Sequence, residues 1–346
     1  MREDRITISK ALAIIFMVIC HAGIPYYLNH FINMFHMPLF FFVSGYCFKD
    51  KYLDNTKLFV RNKIKGIYIP FVKWSLLFLF LHNIFYYCNI YNNVYGSESI
   101  YGLKEFALNA SRVLFTMSET EQLLGGFWFL KQLFIGSIMS LFIYKYFRKQ
   151  LLVGAIFILL ATIVASIINM DIPIFHIGSL SFFSTFFIVM GRVYKQYKYR
   201  FSSFYHSLCF LIFVIIGSVF CGKSMLGYGT KDIIPYAIFA LLGTVMILNL
   251  SQLFSNRENC VKRFLIFVGG HTLEILTWHF LLFKIVSLFL VYLYGLPLEQ
   301  IAYFPVIPEF TKLFWPLYSC VGILVPIAVI FIRKRTMLDV IKNKKK

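Results

Sequence analysis

Apolar residues fill long unbroken runs along this chain, and short basic or polar segments separate them. About 20 apolar residues are enough to cross a bilayer as a helix. Ten runs are near or above that length, at about 11–28, 31–48, 69–90, 125–144, 151–168, 178–194, 203–221, 233–254, 265–294 and 313–332. Strand-length alternation is missing. A bilayer offers no partner to backbone N–H and C=O groups, so the pattern predicts helices and not a barrel. The fold class expected is all-α: a polytopic integral membrane helical bundle of about 10 transmembrane helices, in a single domain over 1–346 with no fused soluble domain.

Three local features refine this layout. The ninth run is too long for one upright helix, and Gly269-Gly270 predicts a break near its start. Segment 49–65 interleaves Lys49, Lys51, Lys57, Arg61, Lys63 and Lys65 with Tyr52, Leu58, Phe59 and Ile64, as an amphipathic interfacial helix does. Segment 91–124 is the most polar in the chain, with Glu98, Glu105, Glu119 and Glu121, and should be external with a short surface helix.

Composition excludes a soluble domain, because 59% of residues are hydrophobic and only 14% are charged, too few to make a polar skin. The net charge of +19 raises the question of nucleic acid, but its distribution answers against it. Basic residues gather between the apolar runs: Arg2, Arg5 and Lys10 before the first, Lys195, Lys198 and Arg200 after the sixth, and Lys344, Lys345 and Lys346 at the tail. That is the positive-inside pattern, and with ten spans it places both termini in the cytoplasm, facing membrane lipids or an anionic substrate. The seven cysteines form no CxxC pair and read as small buried hydrophobes. The first run lacks a small-residue cleavage site, so it reads as a retained helix.

Ionisable residues inside the runs need a reason, since a charge at the bilayer centre costs at least ~2.5 kcal/mol. They are His21, His36, Lys131, Glu274, His279 and Lys284. His21 lies roughly 15 Å into the first helix, and Lys10, eleven positions earlier, shares nearly the same face. A cation at the mouth and an imidazole at depth suit an anionic donor and proton chemistry. The plainer reading of His21 and His279 is a histidine bonded to a neighbouring helix. Ser44 lacks a GxSxG elbow, so packing explains it before nucleophilicity does. Glu274 lies where a helix break frees backbone groups, while Lys131 and Lys284 are expected to snorkel toward headgroups. The histidines are dispersed and no GxxxxGK[ST] occurs, which predicts neither a metal site nor ATP-driven work.

Several segments together resemble the acyltransferase 3 family of integral membrane O-acyltransferases. Lys10 to His21 is similar to its first helix, and Phe35-His-Met-Pro-Leu-Phe-Phe-Phe-Val-Ser-Gly-Tyr46 to its second-helix motif. Arg61-x-x-x-Lys65 before Ile69-Pro70, Phe127-Trp-Phe-Leu130, Gly191-Arg192 and the stretch from Gly270 to His279 resemble weaker signatures. Two positions depart: Thr7 stands where relatives usually carry aspartate, and Lys10 replaces an arginine, keeping charge without the bidentate fork. The resemblance implies transfer of an acyl group, most often acetyl from acetyl-CoA, to a hydroxyl of a carbohydrate that is in some relatives lipid-linked. It implies no bound cofactor, an acyl-CoA donor, and a multi-pass place in the cell inner (plasma) membrane. By carry-over, His21 is the catalytic base, Lys10, Arg61 and Lys65 meet the donor's phosphates, and His36, Ser44, Trp128, Glu274 and His279 line the pocket. A transporter or flippase of a lipid-linked glycan explains the spans and buried charges equally, but not the Phe-His-Met-Pro and Ser-Gly-Tyr motif.

Overall fold

The computed structural model describes residues 3–96, 98–197 and 204–343. Arg2, Lys198, Arg200, Ser203, Lys344, Lys345 and Lys346 lie outside them. Along the described chain run α1 (Asp4–His21), α2 (Tyr26–Asn33), α3 (His36–Tyr46), α4 (Lys51–Asp54), α5 (Thr56–Lys63), α6 (Ile69–Tyr87), α7 (Leu103–Thr116) and α8 (Trp128–Tyr146). They continue as α9 (Leu151–Ile167), α10 (Ser179–Tyr197), α11 (Phe204–Phe220), α12 (Ile233–Ser255), α13 (Cys260–Gly270), α14 (Thr272–Tyr294) and α15 (Thr311–Asn343). Among the described residues the only β-pairing is an isolated bridge between Ile172 and Ile177.

Five helical segments of the described residues are long and apolar enough to cross a membrane: Thr56–Tyr87, Gln122–Tyr146, Thr230–Ser255, Thr272–Tyr294 and Pro308–Thr336. α9 and α11 are apolar but shorter. Large apolar side chains point outward as well as inward, for example Ile156, Phe157 and Leu160 on α9 and Ile212 and Phe213 on α11. A surface of this kind is solvated by hydrocarbon, and helices satisfy their own backbone there.

α1 sits at the middle, packed against α3, α12, α13, α14 and α15. Close approaches to backbone fix its neighbours. A Cβ on Gly269 of α13 would lie 1.9 Å from the Thr7 carbonyl oxygen of α1. Between α3 and α10 the contact is reciprocal: a Cβ on Gly45 would lie 1.7 Å from the Ile188 oxygen, and one on Gly191 1.8 Å from the Phe42 oxygen. Small residues let helix backbones touch in this way.

The break at Gly269-Gly270 is present, at His271 between α13 and α14, and the surface helix in the polar segment is α7. Other boundaries differ from expectation. The first helix begins at Asp4, not near residue 11, and buries Arg5, whose guanidinium donates to the Leu248 oxygen at 3.0 Å and to Tyr194 Oη at 3.3 Å. A buried cation needs such acceptors, and with them it joins the helix instead of preceding it. The second run is two helices, α2 and α3, broken at Met34 and Phe35. Segment 49–65 is no detached interfacial helix: α5 passes through a π-helical turn, Ile64–Tyr68, directly into α6. Lys131 and Lys284 do not snorkel; both are buried. Lys131 lies within electrostatic reach of Glu119 and Asp171, and Lys284 Nζ donates to the Ala302 and Tyr303 oxygens at 3.2 and 2.5 Å.

The polar segment caps one end of the bundle around a buried pair. His82 donates from Nδ1 to Glu121 Oε2 at 3.0 Å and from Nε2 to the Ser99 oxygen at 2.8 Å, while Tyr101 stacks on its ring at 3.5 Å. Both ring nitrogens of the buried His82 are thus held, one by a carboxyl and one by a backbone carbonyl. Glu98 shares this cap, and burial, reinforced by the Glu121 charge, pushes its carboxyl up to about 7 against the opposing effect of His82. A carboxyl raised in the fold contributes its stability fully below its unfolded pKa and loses it as pH rises through about 7. Amide exchange across residues 91–121 in detergent should therefore quicken between about pH 5 and 8, beyond the intrinsic pH dependence of exchange. Glu98→Gln should flatten that extra slope; an equal slope in both proteins would contradict the assignment.

Candidate functional site

His21 closes α1, where Gly23 turns the chain at φ +83°. Its Nδ1 lies 3.0 Å from Nε2 of His279, which α14 brings from 258 positions away. His279 Nδ1 faces the Leu276 and Ile275 oxygens at 2.9 and 3.1 Å, so it carries the proton that bonds them. Nε2 of a neutral His279 is then an acceptor, and the proton between the rings belongs to His21 Nδ1. His21 Nε2 keeps its lone pair. The rings lie nearly parallel, 15° apart, and Phe280 stacks on His21 at 4.7 Å. The pair is thus a base whose tautomer is set by a partner that is itself anchored to backbone.

Cavities approach His21 from both ends of the bundle. The larger, about 610 Å³, opens at the lysine-rich end, where Lys10, Lys49 and Lys195 line it with Glu3 and Thr7. Its deep wall is Met17, Met37 and Leu276, and the same three residues line a narrow space of about 80 Å³ with His21, His36 and Trp128. From the far end, a cavity of about 390 Å³ reaches His21 and His36 past Asn29, Asn33 and Lys223. Helix geometry explains the line-up. Lys10, Met17 and His21 fall at i, i+7 and i+11 on one stripe of α1, and Leu276 and His279 at i and i+3 on α14.

The structure brings His21, His36, Trp128, Lys10 and Ser44 around these cavities, whereas His279 is fully buried behind His21 and lines none of them. His36 heads α3, its Nδ1 donating to the Ile32 oxygen at 2.9 Å. Ser44 Oγ accepts from Lys63 Nζ at 3.2 Å. Glu274, in the first turn of α14, is half-buried and is not among the residues lining these cavities. Arg61 and Lys65 are exposed at the lysine-rich end, outside the cavity walls. Lys63 between them turns inward, because residues two apart on a helix point to nearly opposite sides. Lys63, Lys195 and the Met17, Met37 and Leu276 constriction are the residues that sequence reasoning did not single out. Helical phase from His21 and His279 would have indicated Met17 and Leu276; nothing local indicates Lys195. Among the described residues no group of three or more His, Cys, Asp and Glu is placed to hold a metal.

The model of the acyltransferase 3 family, an acyltransferase domain, matches residues 3–333. The chain belongs to the acyltransferase 3 family. It is an enzyme that transfers acyl groups other than amino-acyl groups, and a multi-pass membrane protein. No curated protein and no solved structure matches it. In this acyltransferase the dyad makes a sharp distinction between two variants at one position. His279→Leu removes the acceptor for His21 Nδ1–H and should lower the acyl-transfer rate by on the order of 10²-fold. His279→Gln offers an amide oxygen and should retain most of it. Equal losses in both, with normal folding, would mean that His279 only fills space.

Proposed function

We propose that this enzyme moves acetyl from acetyl-CoA to a hydroxyl of a cell-envelope or lipid-linked carbohydrate, across the inner (plasma) membrane, with His21 as general base. The observation that carries the reading is the meeting at His21 of a cation-rimmed cavity from one end and an amide-lined cavity from the other. The lysine-rich end faces the cytoplasm, in keeping with the basic clusters and a ten-span layout with both termini inside. Phosphates of the donor meet Lys10, Lys49 and Lys195, with Arg61 and Lys65 outside at the rim as a steering field. The thioester arm extends past Met17, Met37 and Leu276, and the sugar arrives from the far end past Asn29 and Asn33.

The sugar oxygen attacks the thioester carbonyl carbon while its proton passes to His21 Nε2. The tetrahedral intermediate collapses, the C–S bond breaks, and the imidazolium returns the proton to the departing CoA sulfur. His21 Nδ1–H stays bonded to His279 Nε2 throughout, so the dyad holds the imidazolium without moving. A glycan flippase would need a passage wide enough for sugar rings, and the space of about 80 Å³ beside His21 admits an acyl group far more readily.

Incorporation of radiolabelled acetyl from acetyl-CoA into membrane glycans tests this. His21→Ala should lower it by about 10²- to 10⁴-fold at normal expression. Lys10→Ala should chiefly raise KM for acetyl-CoA, and more than Lys65→Ala does. Undiminished label with His21→Ala would remove His21 from the chemistry. Absence of label even in the wild-type protein would point to another donor or acceptor, or to the flippase.

A further inference from the structure

A second chamber of about 320 Å³ branches from the lysine-rich cavity, sharing Ser44, Cys47, Gly66 and Ile67 with it. It runs between the inner end of α3, the middle of α8 and the π-helical turn, and His21 is not among its lining residues. Three of its walls are the rings of Phe48, Tyr52 and Phe59, packed on one another with centroids 5.4–5.8 Å apart. Its floor is polar. Ser137 is 1% exposed, and its Oγ has no hydrogen-bond partner among the described residues. Asn62 stands at the rim, and among the described residues Lys63 is the one charged residue lining the chamber, at its junction with the main cavity. A Cβ placed on Gly66 would meet nothing within 4 Å, so the junction is open there.

Aromatic walls over a buried, unpartnered hydroxyl match a flat heterocycle that stacks on its faces and hydrogen-bonds at its edge. A phosphate would need more than one cation, and those stand in the main cavity. An acyl arm belongs at His21, which this chamber does not reach. We propose that the chamber holds the adenine ring of the donor, so that acyl-CoA binds bent: phosphates on the lysines at the fork, thioester arm toward His21, nucleobase toward Ser137. The proposal rests on the acyl-CoA reading and adds to it where the nucleotide goes. The π-turn then has a use, since it displaces Gly66 and Ile67 to make the wall common to both branches.

The test compares two donors, acetyl-CoA and S-acetyl-4′-phosphopantetheine, which lacks the nucleotide, in wild type and in chamber-filling variants. Ser137→Leu removes the hydroxyl and narrows the floor; Asn62→Trp closes the rim from an exposed position, should Ser137→Leu fold poorly. Each should raise KM for acetyl-CoA about tenfold, the order expected for losing one stacked base. KM and kcat for the truncated donor should stay as in wild type, which also shows that the variant is folded. Equal effects on both donors, or no effect on either, would overturn the chamber's assignment. A wild-type enzyme that turns over neither donor would instead overturn the acyl-CoA reading beneath it.

Discussion

A buried imidazole N–H must be bonded, and His21 turns its Nδ1 inward against α14. The hydrogen bond from His21 Nδ1 to His279 Nε2, 3.0 Å long, meets that demand, and the rest of the molecule is arranged so that it holds. His279 accepts because its own Nδ1–H is tied to the backbone oxygens of α14. α14 begins where it does because the chain breaks at His271, after α13 has locked Gly269 onto the Thr7 oxygen of α1. A side chain at residue 269 would push α13 off α1 and move His21 relative to His279. The tight glycine contact near one end of α1 thus sets the geometry of the dyad at its other end.

Charge is graded along the same axis. Lysines rim the wide cavity, methionine and leucine narrow it, and two histidines with an indole stand at the neck. The sequence of environments suits a molecule with an anionic body and an uncharged reactive tip. Electrostatic attraction acts where water is present and screens it, while the reacting atoms meet only groups whose hydrogen bonds are already made. Thr7 lines the same mouth and adds no charge to it. Among the described residues lining that cavity Glu3 is the only acid, and it accepts from Tyr46 Oη at 3.4 Å.

Much of this was legible in the residues. Long apolar runs and the Gly269-Gly270 break foretold the helices and the kink, and an eleven-residue spacing placed Lys10 and His21 on one stripe. The break between α2 and α3 was hidden because Phe31 to Phe48 is apolar throughout, and hydropathy does not register where a helix stops. Arg5 read as a flanking charge because its acceptors, Leu248 and Tyr194, lie far along the chain. The same distance concealed the partnership of His21 with His279. Motif spacing pointed to Arg61 and Lys65, whereas the fold turns Lys63 inward; a motif gives the segment, and helical phase within a packed bundle gives the face.

The most direct measurement is the protonation of the His21 ring itself, by solid-state NMR of ¹⁵N-histidine-labelled protein in bilayers, with His21→Gln used to assign its signals. The expected result is a neutral His21 protonated at Nδ1, with a through-space correlation to an unprotonated Nε2 of His279. An Nε2–H tautomer at His21, or no correlation between the rings, would contradict it.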